Sequence, residues 1–126
     1  LKTILLADDE PNIRLLVHTT LDDPGFEILE ADNGAEALEI AQRHKPDLVI
    51  LDWVMPGLTG IEVASKLRKQ TATSDIPIIM LTCKGQPTDI AQGKDAGVTT
   101  YLIKPFSPME LIDHVQEALN PDAVSS

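Results

Sequence analysis

Apolar positions along the chain fall into two kinds of run that alternate from end to end. Dense runs at residues 3–7, 47–52 and 78–81 are too short for a core helix and are β-rich, so they predict buried strands. FEILEA at residues 26–31 and TTYLI at residues 99–103 predict two more. Between them the apolar residues recur at helical spacing. Ile13, Leu16, Val17, Thr20 and Leu21 mark one helix. Ala35, Leu38 and Ala41, with Ala37 beside them, mark a second. Ile61, Ala64 and Leu67 mark a third, with Lys66, Arg68 and Lys69 on its solvent side, and Leu111, Ile112, Val115 and Leu119 mark the last. Residues 88–96 give the weakest helical signal, because Gly93 sits inside the run.

The punctuation agrees with this division. Pro11 suits a first helical turn, and Asp8, Asp9 and Glu10 before it favour the positive end of a helix. Asp23-Pro24-Gly25, Lys45-Pro46, Gly97 and Asn120-Pro121 stop helices, while Asp32-Asn33-Gly34 turns into one. Residues 71–75 and 85–87 read as loops. Ser107, Pro108 and Glu110 nearly make a capping box for the final helix. Five strands alternating with five helices imply an α/β domain whose parallel sheet is covered on both faces.

Composition bounds the picture without changing it. The 126 residues make one domain, able to bury about two-thirds of its unfolded surface. No run is long enough for a membrane span, and Leu1-Lys2-Thr3 leads straight into a strand without a leader. The missing initiator Met suggests a trimmed chain or a fragment. Cys83 is the one cysteine, which excludes an internal disulfide and fits a reducing, cytoplasmic setting. A net charge of -10 argues against direct binding of nucleic acid or of an anionic membrane. It also raises the question of whether some of the acids are gathered around a cation.

Four strands end on polar residues: the first at Asp8-Asp9, the third at Asp52, the fourth at Thr82 and the fifth at Lys104. In a parallel sheet these ends lie along one edge, where ligands of open α/β folds bind. Three carboxylates in one cleft repel one another and do not all stay ionised unless a cation sits among them. Oxygen-only donors point to a hard ion, Mg2+ before others. A lysine and a hydroxyl beside that ion suit a phosphoryl group, and an aspartate can accept one. Taken singly, Asp52 also reads as a turn acid, Thr82 as a β-former and Lys104 as a surface lysine.

LLADDE at residues 5–10, VILDWVMPGLTG at 49–60, PIIMLT at 77–82 and YLIKPF at 101–106 together resemble the receiver domain of two-component response regulators. The resemblance runs from about residue 3 to about residue 120. It implies a doubly wound, flavodoxin-like (βα)5 three-layer sandwich with strand order 2-1-3-4-5. The receiver domain would occupy residues 1–120, with 121–126 a tail or the start of a linker. It implies that Asp52 is the phosphoacceptor, served by a sensor histidine kinase or a histidine phosphotransfer protein. It further implies Mg2+ held by Asp9, Asp52 and the Val54 backbone carbonyl, with Asp8 acting through water or position. Thr82 and Lys104 would engage the phosphoryl oxygens, and Tyr101 would be the switch aromatic. The face built from the fourth helix, fifth strand and fifth helix would then control a downstream effector domain or protein. Such a protein is a self-assisted switch and not a substrate-converting enzyme, either monomeric or dimerising on phosphorylation.

Two rival readings are an unphosphorylated pseudo-receiver, against which the intact acids, Thr82 and Lys104 argue, and an aspartate-nucleophile Mg2+ phosphatase. The latter usually carries a second acid two residues after its nucleophile, where this chain has Val54. Val54, with Lys84, is expected to make an acyl phosphate long-lived. Cys83 follows Thr82 and is expected to be a small buried residue that is tolerated there, the alternative being that it narrows access to the phosphate. Thr99-Thr100 stands where an acidic pair is frequent, and the last helix has no arginine, which argues against dimerisation through charged pairs there. His18, His44 and His114 lack metal-ligand spacing and read as solvated or partly packed. Trp53 reads as a packing residue and a spectroscopic probe.

Overall fold

The computed structural model describes residues 1–83 and 87–120. In chain order the elements are β1 (Lys2–Ala7), α1 (Pro11–Thr20), β2 (Phe26–Ala31), α2 (Gly34–His44), β3 (Leu48–Asp52), α3 (Gly60–Arg68), β4 (Ile78–Thr82), α4 (Pro87–Ala96), β5 (Thr100–Ile103) and α5 (Pro108–Leu119). The strands form one parallel sheet in the order β2-β1-β3-β4-β5, as the resemblance implied. Lys84, most of the loop expected at residues 85–87 and the tail expected at 121–126 lie outside the described residues.

Alternation along the central strands divides the core in two. Ile4, Leu6, Leu48, Ile50, Ile79 and Leu81 point to the side covered by α1 and α5, where they meet Val17, Leu21, Leu111 and Val115. Leu5, Ala7, Val49, Leu51, Ile78 and Met80 point to the other side and meet Ala37, Ala41, Val63, Ala64 and Leu67 of α2 and α3. β3 and β4 are buried along their whole length, which is why their sequence shows continuous apolar runs and no polar alternation. Burying each such Leu or Ile contributes about 2 kcal/mol.

The helix starts follow from local chemistry. Asn33 accepts the Glu36 amide at 2.8 Å at the head of α2. Ser107 and Glu110 complete the expected capping box of α5, and Thr59 and Glu62 make a second, unanticipated one on α3.

Four side chains differ from their sequence-based placement, the first being Cys83, expected buried and in fact exposed. Leu16 is partly exposed, because α1 packs through the narrower stripe of Val17 and Leu21. Ala35 is exposed, and the buried stripe of α2 is Gly34, Ala37 and Ala41, an i, i+3, i+7 row that follows the helical repeat better than 35, 38 and 41. Arg68 does not face solvent. Its guanidinium turns inward and donates to the Gly97 carbonyl at 2.9 Å, the Ser74 carbonyl at 3.1 Å and the Ile76 carbonyl at 2.6 Å. Carbonyls left over at the end of an element attract such a donor, and no hydrophobicity pattern reports them.

Candidate functional site at the carboxyl ends of the strands

The four strands expected to supply functional residues are neighbours in the sheet. Register pairs Ala7 with Leu51, Asp52 with Leu81 and Thr82 with Ile103, so the strand ends stand side by side. Further hydrogen bonds hold the rim in line. The Trp53 amide donates to the Leu81 carbonyl at 3.0 Å and the Lys104 amide to the Thr82 carbonyl at 2.8 Å. Gly60 brings the start of α3 against this rim. Its amide donates to the Trp53 carbonyl at 2.8 Å, and a Cβ there would stand 2.4 Å from the Asp52 carbonyl oxygen. Only glycine permits that approach.

Asp8, Asp9, Glu10 and Asp52 place one carboxylate oxygen each within 4.8 Å of one another. Asp8 is 0% exposed and Asp52 is buried, whereas Asp9 and Glu10 face the cleft. The Lys104 ammonium group enters from β5 and lies 3.1 Å from Asp8, 3.3 Å from Asp52 and 3.6 Å from Glu10. One cation thus faces several acids, too little charge to balance them. The pKa of Asp52 is pushed up from 3.8 to about 6. Burial is the main cause, Asp8 and Asp9 add to it, and Lys104 opposes it. Burial pulls the Lys104 ammonium group down, but Asp52, Asp8 and Glu10 outweigh this and hold it above its ordinary value.

A cleft of about 290 Å³ opens over this cluster, lined by Asp9, Asp52, Val54, Thr82, Cys83 and Lys104 among others. All the converging charged donors of the cluster are carboxylate oxygens, which fits a hard divalent ion and does not fit a thiolate- or imidazole-seeking one. The arrangement can bind a cation, and beside it Lys104 and the buried Thr82 can hold an oxyanion.

Asp8, Asp9, Asp52, Val54, Thr82 and Lys104 are all at this rim, whereas Tyr101 lies one layer away. The Tyr101 ring is half-buried against α4, and its hydroxyl donates to the Ile90 carbonyl at 3.0 Å. It also packs against Trp53, with ring centroids 6.4 Å apart and planes tilted by 31°. Trp53 is therefore a packing residue, as expected, and it links the residue next to Asp52 with the aromatic expected to switch. Two members escaped the sequence reading. Glu10 was noted only as part of an acidic run, although it joins the cluster and approaches Lys104. Arg14 was not singled out in the sequence, yet its Nη1 donates to the Asp8 carbonyl at 2.7 Å. The sequence signal for Arg14 was its place in the first turn after the acids.

The histidines stand apart from the cluster. His44 is exposed, His18 bonds Glu30 at 2.8 Å, and His114 is half-buried with an Nδ1 that has no hydrogen-bond partner among the described residues. Thr99, in place of an acid, accepts the Ile78 amide at 2.9 Å and so caps the start of β4. No described helix is long and apolar enough to cross a membrane.

A family model described as the response regulator receiver domain matches residues 4–116. The phosphate regulon transcriptional regulatory protein PhoB of Pseudomonas aeruginosa is 46% identical over 118 residues, covering 94% of this chain and 52% of that protein. The transcriptional regulatory protein SrrA of Staphylococcus aureus is 44% identical over 116 residues, covering 92% and 47%. The chain spans about half the length of these curated relatives. Among solved structures, chemotaxis response regulator CheY4 of Vibrio cholerae superposes with a TM-score of 0.89 at 39% identity, covering 94% of this chain and 99% of that one. The receiver domain of Francisella response regulator 1452 gives 0.88 at 32% identity, covering 97% and 99%. Sequence motifs, strand order and these likenesses coincide over the same residues, and the chain belongs to the response regulator receiver family.

Proposed function

We propose that this domain is a phosphorylation-dependent switch in which Asp52 accepts a phosphoryl group. The observation that carries the reading is the placement of the Asp52 carboxylate at the end of β3, 3.3 Å from the Lys104 ammonium group and inside a cluster of acids. The donor is the phosphohistidine of a sensor kinase or of a phosphotransfer protein. A phosphorus–nitrogen bond breaks, an Asp52 oxygen forms the new phosphorus–oxygen bond, and the released imidazole takes up a proton. Lys104 pairs with a phosphoryl oxygen and Thr82 donates its hydroxyl to another. Asp9, Asp52 and the Val54 carbonyl would hold Mg2+, which would neutralise the acids and offset the charge of an incoming phosphoryl group. Asp8 keeps Lys104 in place, through the 3.1 Å contact.

Phosphorylation replaces one carboxylate by a group of nearly two charges. Thr82 and Lys104 gain a partner, and Tyr101 leaves its seat on α4 for the space that Thr82 vacates. The surface formed by α4, β5 and α5 changes, and an effector domain or protein reads the change. The domain assists its own phosphorylation and hydrolysis and converts no other substrate. It works in the cytoplasm, as a monomer or a dimer formed on phosphorylation. The relatives are transcriptional regulators by name and about twice as long, which supports an output carried outside these residues.

The test follows Trp53 fluorescence while Mg2+ and then acetyl phosphate are added, with intact mass in parallel and Asp52→Asn as control. The reading expects a metal-dependent change, a further change with the donor, and a mass gain of one phosphoryl group that Asp52→Asn abolishes. Metal binding without phosphoryl gain, from acetyl phosphate or from a phosphorylated phosphotransfer protein, would move the domain to the unphosphorylated interaction modules.

A further inference from the structure

Among the described residues of the acidic cluster, Asp8 is the most completely tied. Its amide donates to the Ala31 carbonyl at 3.1 Å, and its side chain accepts the Glu10 amide at 2.9 Å and Lys104 at 3.1 Å. The remaining polar group, the Asp8 carbonyl, takes the 2.7 Å bond from Arg14. That carbonyl shares a rigid peptide plane with the Asp9 amide. Whatever fixes the one sets the direction in which the chain enters Asp9, the exposed acid of the cleft.

Arg14 is itself braced. Its Nε lies 3.3 Å from Glu30 on β2, and the other oxygen of Glu30 meets His18 at 2.8 Å. The planar guanidinium suits this task, because it can serve a carbonyl and a carboxylate at once in a fixed geometry. β2 sends no residue to the rim, yet through Glu30 it steadies the loop between β1 and α1.

We infer that Arg14 is a positioning residue of the cation site: braced by Glu30, its guanidinium fixes the peptide joining Asp8 to Asp9 and so preorganises the carboxylates for a divalent ion. This rests on the Mg2+ binding proposed above. Mutually repelling acids splay apart when their loop is free, and part of the binding energy of a cation is then spent on gathering them. A brace that gathers them beforehand raises affinity without touching the ion.

The charge of Arg14 works in the opposite direction, and this makes the inference decidable by sign. A positive group near the cleft repels Mg2+, so removing it tightens binding if electrostatics is all that changes. Removing a positioning group weakens it. The experiment is a Mg2+ titration, read by Trp53 fluorescence and by calorimetry, on the wild-type chain, Arg14→Gln and Arg14→Lys. Both variants should bind Mg2+ about tenfold more weakly, the loss typical when a residue supporting metal ligands is removed. Arg14→Lys keeps the charge and most of the side-chain bulk, so it carries the test alone where Arg14→Gln is unstable. Glu30→Gln should weaken the wild type and add little to Arg14→Gln, since the two act through one guanidinium. Unchanged or tighter Mg2+ binding in the Arg14 variants overturns the role of Arg14 while the proposed function stands. A wild-type chain that does not bind Mg2+ overturns both.

Discussion

A Cβ on Gly93 would stand 1.3 Å from the hydroxyl oxygen of Tyr101. The glycine that weakens α4 as a helix is therefore the seat of the aromatic ring. Its hydroxyl fits over the bare backbone and bonds the Ile90 carbonyl. Gly93→Ala should expel the ring, shifting Trp53 emission because the two rings are in contact. In the wild-type background the substitution should destabilise the domain. Combined with Tyr101→Ala it should stabilise by about 1 kcal/mol, the helix propensity that glycine withholds. Urea denaturation of the four proteins checks the reversal, and the same sign in both backgrounds would refute the seat.

Asp52 gives the domain a pH dependence. Its carboxyl ordinarily titrates at 3.8 and in the folded chain is pushed up to about 6, through burial first and then Asp8. Between those values the folded state holds more protons than the unfolded one, so stability falls as pH rises through that window. At about 1.4 kcal/mol per unit, the penalty above pH 6 is on the order of 3 kcal/mol. Asp52→Asn removes it. In EDTA, the advantage of Asp52→Asn over the wild type should therefore be larger at about pH 7.5 than at about pH 5. A constant difference would contradict the strain assigned to Asp52.

Val54 is 62% exposed at the mouth of the cleft, which Asp52 also lines, and offers no group to orient an attacking water. Val54→Asn supplies one, and the phosphoryl group on Asp52 should be lost several-fold faster. Intact mass at intervals after removal of acetyl phosphate measures this. A slower loss in the variant would refute the long-lived acyl phosphate expected from Val54.

Arg68→Ala should destabilise the domain by about 3 kcal/mol, because it strands the carbonyls of Gly97, Ser74 and Ile76. Arg68→Lys should recover only a minor part, since an ammonium group cannot reproduce the fork that reaches both the loop before β4 and the turn after α4. Urea midpoints decide. A near-neutral Arg68→Ala would mean that these carbonyls find water instead.

What the sequence disclosed follows a physical divide. The strands and helices were legible because burial writes itself into period: β3 and β4 as solid apolar runs, α5 as a stripe ending in a capping box. The rim was legible because parallel strands carry Asp52, Thr82 and Lys104 to one edge whatever their separation in the chain. The roles of Arg14, Arg68 and Gly93 were not. Each depends on a backbone carbonyl or a clearance whose position is set only by the packed fold. Arg68 and Gly93 even carry the wrong local signal, one as a solvated base and the other as a helix breaker. The departures on α1 and α2 have the same origin, since Leu16 and Ala35 obey a helical repeat but sit at the edge of the stripe that the sheet covers.

The ion pair between Lys104 and Asp52 spans 52 positions of the chain. During synthesis, Asp8, Asp9 and Asp52 all leave the ribosome before the only ammonium group that faces them among the described residues. β5 and the lysine that follows it come after the other four strands, and β5 closes the sheet at its edge. Until then the acids lack Lys104, the ammonium group that faces them among the described residues. A chain cut before β5 keeps the acids and loses the ammonium group that faces them, so the charge balance of the cleft is completed only when the last strand docks.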